Sequence, residues 1–295
     1  MGLQIFLTGF WISFQFCPDW GSSCFTKLRL YSEQAYELGP RETARFYIPG
    51  FDPHPPRRYR ELYCSESQKH ARISGYQVEQ KASALKDGYG WSVSLNDEGT
   101  QRSSEAVIEI LGWSDIVKTS MSSGIFATYW SLAKTAWIYI RSGTLFDLMT
   151  LRKGPIIAAL YPVGFLILQL LFALLVAYGI AQLIELALPY LMPFALLIIW
   201  PILKGFQAID HRIFAYYLMQ DYAHSAQFKG AYAQDLKERL HEFSQKIAQT
   251  CTEDWDEVLV IGHSSGAHLG VSVLAELERQ HKGPRRGTLS FLSLG

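Results

Sequence analysis

Glu257-Val258-Leu259-Val260-Ile261-Gly262-His263-Ser264-Ser265-Gly266-Ala267-His268 is the stretch that decides the fold. Val258 to Ile261 are apolar and mostly β-branched, the length and composition of a buried strand. They run straight into a Gly-x-Ser-x-Gly string, after which a helical pattern opens. The string predicts a strand, a tight turn and a helix, with one serine exposed at the apex. Gly262 and Gly266 suit a sharp turn and close helix–strand packing, because neither carries a Cβ. A hydroxyl at that apex stands near a helix N-terminus, where main-chain N–H groups favour developing negative charge. A plain Gly/Ser turn between a core strand and a helix has the same letters. The strand before it and the helix after it make a nucleophile turn the stronger reading.

Working outward, Gln234–Ala248 predicts an amphipathic helix. Leu236, Leu240, Phe243 and Ile247 share one face, while Glu242 and Lys246 form an i,i+4 pair on the other. After the serine, Gly266–His281 continues as a helix, Lys282–Gly287 breaks it, and Thr288–Leu294 reads as the next parallel strand. Strand, helix, strand is a βαβ unit, which makes the fold class α/β with a parallel sheet. Towards the N-terminus, Ala44–Ile48 reads as a short strand stopped by Pro49-Gly50-Phe51-Asp52-Pro53, and Pro55–Tyr63 as a helix entered through prolines. Tyr76–Glu79, Trp91–Leu95 and Ala106–Leu111 are strand-like, with turn signals at Lys86-Asp87-Gly88 and Asn96-Asp97-Glu98-Gly99. Asp115 suits a turn or a helix cap.

At Gly262-His263-Ser264-Ser265-Gly266 the chain resembles the α/β-hydrolase superfamily of serine esterases and lipases. The resemblance implies Ser264 as nucleophile and the backbone N–H of Ser265 as one oxyanion donor. His263 matches the histidine often found before the family's serine, and packing or hydrogen bonding rather than base catalysis is the role expected of it. Pro49-Gly50-Phe51 stands where the family has its His-Gly-x turn, which implies the Phe51 N–H as the second donor; any β-turn-α connection also accommodates Pro-Gly.

Residues 154–203 contain one charged side chain, Glu185. Residues 155–184 exceed, and Leu186–Leu203 just reach, the length of a membrane span at about 1.5 Å per residue against a hydrocarbon core of about 30 Å. Pro162 and Gly164 place the start of the first span near residue 160 and its end near 183; Pro189 and Pro193 predict a kinked or partly re-entrant second limb over 186–203. Glu185 falls at the join, where its carboxylate reaches the headgroups. Arg141, Arg152 and Lys153 precede the pair and Lys204 and Arg212 follow it, with no cation between. The positive-inside rule therefore puts both flanks in the cytoplasm. A buried apolar hairpin in a soluble core is the alternative, and one charge in fifty residues speaks against it. Ile125–Ile140 is helical in spacing and rich in Tyr129, Trp130, Trp137 and Tyr139, which suits an interfacial helix as well as core packing.

The expected organisation is thus an uncertain segment over 1–42, a first α/β part over 43–153, a transmembrane hairpin over 154–204 and a second α/β part over 205–295. Met1–Phe16 is apolar but lacks the basic leading region and small-residue cleavage site of a secretory signal; its Phe and Trp content suits a peripheral strand pair or an unreliable start. The 27 basic and 27 acidic side chains cancel, so no global field draws the chain to nucleic acid. Cys17, Cys24, Cys64 and Cys251 show no metal-ligand or disulfide spacing, and the eight histidines are scattered. No phosphate loop, dinucleotide turn or zinc pair occurs, so no cofactor and no metal are expected. The partners expected are the lipid bilayer and an ester or acyl substrate.

The resemblance also has a gap. The family's order is Ser, then Asp or Glu, then His, the last two on loops. The 31 residues after Ser264 contain no Asp, and their acids, Glu276 and Glu278, fall within a helix with His281 at its far end. The expectation is a chain truncated relative to its family. The functional expectation is a membrane-anchored serine esterase or lipase with an incomplete triad, and the alternative is a non-catalytic membrane protein retaining a hydrolase-like sheet.

Overall fold

The computed structural model describes residues 2–7, 10–15, 42–82, 88–97, 99, 102–121, 124–150, 152–187, 189–228, 230–280 and 283–294. The turn residues Lys86, Asp87 and Glu98, the cysteines Cys17 and Cys24, and His281 lie outside them. Two compact units divide the chain: residues 1–118 with 234–295, and residues 119–233.

The first unit holds a two-stranded antiparallel pair, β1 (Gly2–Leu7) and β2 (Phe10–Gln15), and a six-stranded sheet. In chain order the sheet elements and their helices are β3 (Glu42–Ile48), α1 (Arg57–Ser74), β4 (Gln77–Ala82), β5 (Tyr89–Asp97), β6 (Arg102–Ile110) and α2 (Ser114–Ser120). After the second unit follow α9 (Gln234–Thr250), β7 (Glu257–His263), α10 (Ser265–Gln280) and β8 (Thr288–Leu294). The sheet order is β4-β5-β6-β3-β7-β8.

The sheet is mixed rather than parallel throughout. β6, β3, β7 and β8 are parallel neighbours, whereas β4 pairs antiparallel with β5 and β5 with β6. The connections within β4-β5-β6 are too short to carry a crossover, so those strands must reverse direction. β7 alternates between buried and less buried residues, with Val258 and Val260 essentially inaccessible. α9 buries Leu236, Leu240, Phe243 and Ile247, the stripe its spacing predicts. Against the sheet's other end, Trp91, Val93, Ile108 and Ile110 form a cluster with Tyr59 and Tyr63 of α1. α1 runs about three turns past Tyr63 and stops at Gly75, whose φ of 77° is a left-handed cap that favours glycine.

The second unit is helical: α3 (Ile125–Ser142), α4 (Thr144–Met149), α5 (Lys153–Ala187), a 3-10 segment (Pro189–Ile198), α6 (Ile199–Ala208), α7 (Asp210–Ile213) and α8 (Ala215–Ala226). Ile156–Leu186 and Pro189–Ala208 are long and apolar enough to cross a membrane, and little of either is buried inside the protein. α5 does not begin at Pro162; it starts at Lys153 and carries that proline inside it. A proline removes one hydrogen bond and kinks a helix without ending it when good helix formers flank it. The second limb is broken, as Pro189 and Pro193 predict: neither proline has an N–H to donate, and ten residues adopt 3-10 geometry before α6 begins. Ala173, Ala177 and Ala181 are the buried face of α5's C-terminal half. At four-residue spacing such small residues let two backbones approach closely in an apolar hairpin. Nearer its start, α5 buries Leu166 with Tyr216 and Met219 of α8.

Candidate functional site

The parallel strands β6, β3, β7 and β8 all end at one edge of the sheet, where ligands of open α/β sheets bind. Ser264 is at that edge, a single residue between β7 and α10, exposed to solvent. Its φ is 54°, the left-handed region, shared among described non-glycine residues only with Phe214. For an L-residue with a Cβ this costs about 1–2 kcal/mol, so the fold holds Ser264 under strain. Two main-chain bonds fix it: its N–H donates to the Leu294 carbonyl at 2.7 Å, and its own carbonyl accepts from the Ala267 N–H at 2.9 Å.

Three glycines make the turn possible. A Cβ on Gly262 would stand 2.5 Å from Ala267 Cα, and one on Gly266 only 2.3 Å from the Ile48 carbonyl oxygen. One turn further, a Cβ on Gly270 would stand 2.8 Å from the ring of Phe291. The amino end of α10 therefore lies directly on the main chain of β3 and its following turn. No residue with a side chain fits at Gly262 or Gly266 without displacing backbone.

That following turn is Pro49-Gly50-Phe51, buried throughout. A Cβ on Gly50 would lie 3.1 Å from Ser264 Cβ and 3.6 Å from its Oγ, so the Gly50 main chain is in touch with the serine. Trp113, which follows β6, donates its Nε1–H to the Pro49 carbonyl at 2.8 Å, and its ring meets Phe51 edge-on with centroids 5.9 Å apart. The Asp52 N–H closes the turn on the Gly50 carbonyl at 2.7 Å. The Phe51 N–H is directed at the serine turn, donating to Ser265 Oγ at 3.3 Å. Ser265 is the first residue of α10, a position where main-chain N–H groups have no intrahelical acceptor.

His263 is exposed and its ring stacks on Tyr47, with centroids 6.3 Å apart and planes at 22°. Tyr47 in turn meets Tyr59, whose hydroxyl donates to Asp52 at 2.7 Å. Burial, and then the Asp52 carboxylate, push the Tyr47 phenol above its ordinary pKa. This aromatic and carboxylate cluster flanks the serine edge. His268 is exposed on α10.

Among the described residues none is hydrogen-bonded to Ser264 Oγ. The histidine–carboxylate pair of this unit stands elsewhere: His241 Nδ1 meets Glu276 Oε1 at 2.7 Å, with Glu276 about 16 Å along α10 from Ser265 at helical rise. Glu278 pairs with Arg285. Asp115 opens α2 and takes both guanidinium nitrogens of Arg239, at 3.1 and 2.8 Å, which hold its carboxyl below the ordinary value. No group of three or more His, Cys, Asp or Glu that could hold a metal occurs among the described residues. A hollow of about 620 Å³ lined by Glu42, Asp254, Asp256 and Arg286 lies at the amino ends of β3, β7 and β8, the edge opposite Ser264.

The Trp113 clamp, the Tyr47–Tyr59–Asp52 cluster and the acceptor role of Ser265 Oγ were not readable from spacing. Trp113 lies 64 positions from Pro49, and only the pairing of β6 with β3 brings them together. Comparison of the chain with protein-family models, with curated proteins and with solved structures finds no match in any of the three.

Proposed function

We propose that the chain is an α/β-hydrolase-like serine hydrolase of the esterase or lipase type, anchored in a lipid bilayer by the hairpin of α5 and the limb after it. The observation that carries this is the conformation of Ser264: an exposed serine held at positive φ between a parallel strand and a helix, against a buried glycine turn. Strain of that kind persists at functional positions because the surroundings over-determine it. In this reading Ser264 Oγ attacks an ester or acyl carbonyl, and the N–H groups of Ser265 and Phe51 receive the oxyanion, the Phe51 N–H exchanging its bond to Ser265 Oγ for it. Gly262, Gly266 and Gly50 supply the close approach, and His263 packs on Tyr47 beside the site. Attack also requires a base for the Oγ proton. With Arg141, Arg152, Lys153, Lys204 and Arg212 outside the apolar pair, the soluble parts on both flanks are cytoplasmic and the pair makes two membrane spans.

The test is labelling of the purified full chain by a fluorophosphonate probe. Wild type is expected to label and Ser264→Ala not to. The lack of any described partner for Ser264 Oγ favours a second reading, a non-catalytic membrane protein that keeps this sheet as an interaction surface. A folded wild-type chain that stays unlabelled supports that reading instead.

A further inference from the structure

α3 presents two apolar faces. Ile125 and Thr128 are buried on one, and Tyr129 on the same side donates its hydroxyl to the Leu166 carbonyl of α5 at 2.9 Å. On the other face Phe126, Trp130, Ala133, Trp137 and Ile140 fall within an arc of about 80° at 100° per residue. All five are exposed, Phe126 at 78% and both tryptophans above 60%. A lone exposed leucine is ordinary; a continuous aromatic stripe four turns long marks a surface that meets something apolar.

The packing says what that is. Ile125 shares a buried cluster with Ala173 of α5 and Leu203 of α6, and one turn on Tyr129 reaches Leu166, so over this contact α3 runs opposite to α5. The apolar run of α5 is 31 residues, Ile156–Leu186, and a bilayer core takes about 20 of them. Wherever a span of that length is placed within the run, it includes the level of Ala173. If α5 crosses, the first turn of α3 is therefore at hydrocarbon depth, and Phe126 on its outward face has only acyl chains to meet. Trp137 lies about 16 Å further along α3 towards Arg141, near half a bilayer core away. Tryptophan and then arginine at that distance is the order of an interfacial belt. Lys134 flanks the stripe, with a stem long enough to carry its ammonium towards the headgroups.

We infer that α3 is a third membrane-inserted helix, its Phe126–Trp130–Ala133–Trp137–Ile140 face lying against lipid acyl chains and its Arg141 end at the headgroups. The inference rests on the membrane reading of α5. Its test uses nitroxide labels in the full chain with the four native cysteines replaced, reconstituted in vesicles of phosphatidylcholine and phosphatidylglycerol. Ala133→Cys reports the stripe, Leu171→Cys the outward face of α5, and Glu238→Cys an exposed site on α9. Collisions with oxygen and with a water-soluble nickel chelate are compared. The nickel collision rate at Ala133→Cys and at Leu171→Cys is expected to be about tenfold below that at Glu238→Cys, with oxygen collisions raised, because a polar chelate is excluded from hydrocarbon. Nickel access at Ala133→Cys with Leu171→Cys shielded overturns this inference alone. Shielding of Ala133→Cys from both reagents means that protein, such as a second copy, covers the stripe, and overturns it too. Nickel access at Leu171→Cys removes the membrane reading and the inference with it.

Discussion

Gly266→Ala tests the packing on which the serine turn depends. The added methyl would sit 2.3 Å from the Ile48 carbonyl oxygen and 2.4 Å from that of Pro49. Ordinary carbon-to-oxygen contacts begin near 3.3 Å, so α10 and β3 must separate by about 1 Å. Both obstructing atoms are main chain and neither can swing aside. Overpacking of this kind costs about 1–3 kcal/mol, which in a unit of this size lowers the thermal midpoint by about 2–12 °C. The same displacement carries Ser264 away from the Gly50 turn, so fluorophosphonate labelling falls along with stability. Gly270→Ala is the internal comparison. Its methyl would meet the ring of Phe291 at 2.8 Å, and a ring can turn. The assay is thermal unfolding of the two variants beside wild type, with labelling rate read on the same preparations. A Gly266→Ala protein as stable as wild type, or less affected than Gly270→Ala, would refute the claim that α10 lies on the β3 main chain.

Ser264→Gly removes the strain of φ 54° at the price of a more flexible unfolded chain, a net gain of about 0.5–1 kcal/mol; the melting midpoint should rise while labelling disappears, and a fall in midpoint would mean the serine is not strained. Trp113→Phe removes the donor to the Pro49 carbonyl and is expected to cost about 1–3 kcal/mol and to slow labelling; an unchanged labelling rate in a destabilised variant would separate the turn from the site. Burial holds the Glu109 carboxyl above its ordinary pKa, and the Lys246 ammonium paired with it pulls it partly back. In Lys246→Met that pull is gone, so the folded state keeps a proton the unfolded chain releases, and stability is lost as pH rises from the ordinary carboxylate range through the raised pKa. The deficit should be about 3 kcal/mol at about pH 8 and shrink on acidification towards about pH 5; equal deficits at both would exclude titration of Glu109.

Local sequence determined which segments are strands and helices around the site. The apolar, β-branched run before Gly262 reads as a buried strand, and the stripe of Leu236, Leu240, Phe243 and Ile247 as the buried face of a helix. The β8 boundaries, Thr288–Leu294, are those the pattern predicts. The break in the second apolar limb was equally legible, because a missing N–H at Pro189 and Pro193 acts within a single turn. Pro162 was less informative: a proline weakens a helix locally, but whether the helix stops depends on its flanks.

Tertiary structure decided what distant residues do to one another. Gly-x-Ser-x-Gly predicts a turn, but the positive φ of Ser264 follows from α10 being pressed onto Ile48 and Pro49, more than two hundred positions away. The same pairing of β6, β3 and β7 delivers Trp113 to Pro49 and Phe51 to Ser265. Hydrophobic period reports what a segment buries, whereas strand order and helix seating report against whom, and that second choice is made only when the whole chain closes.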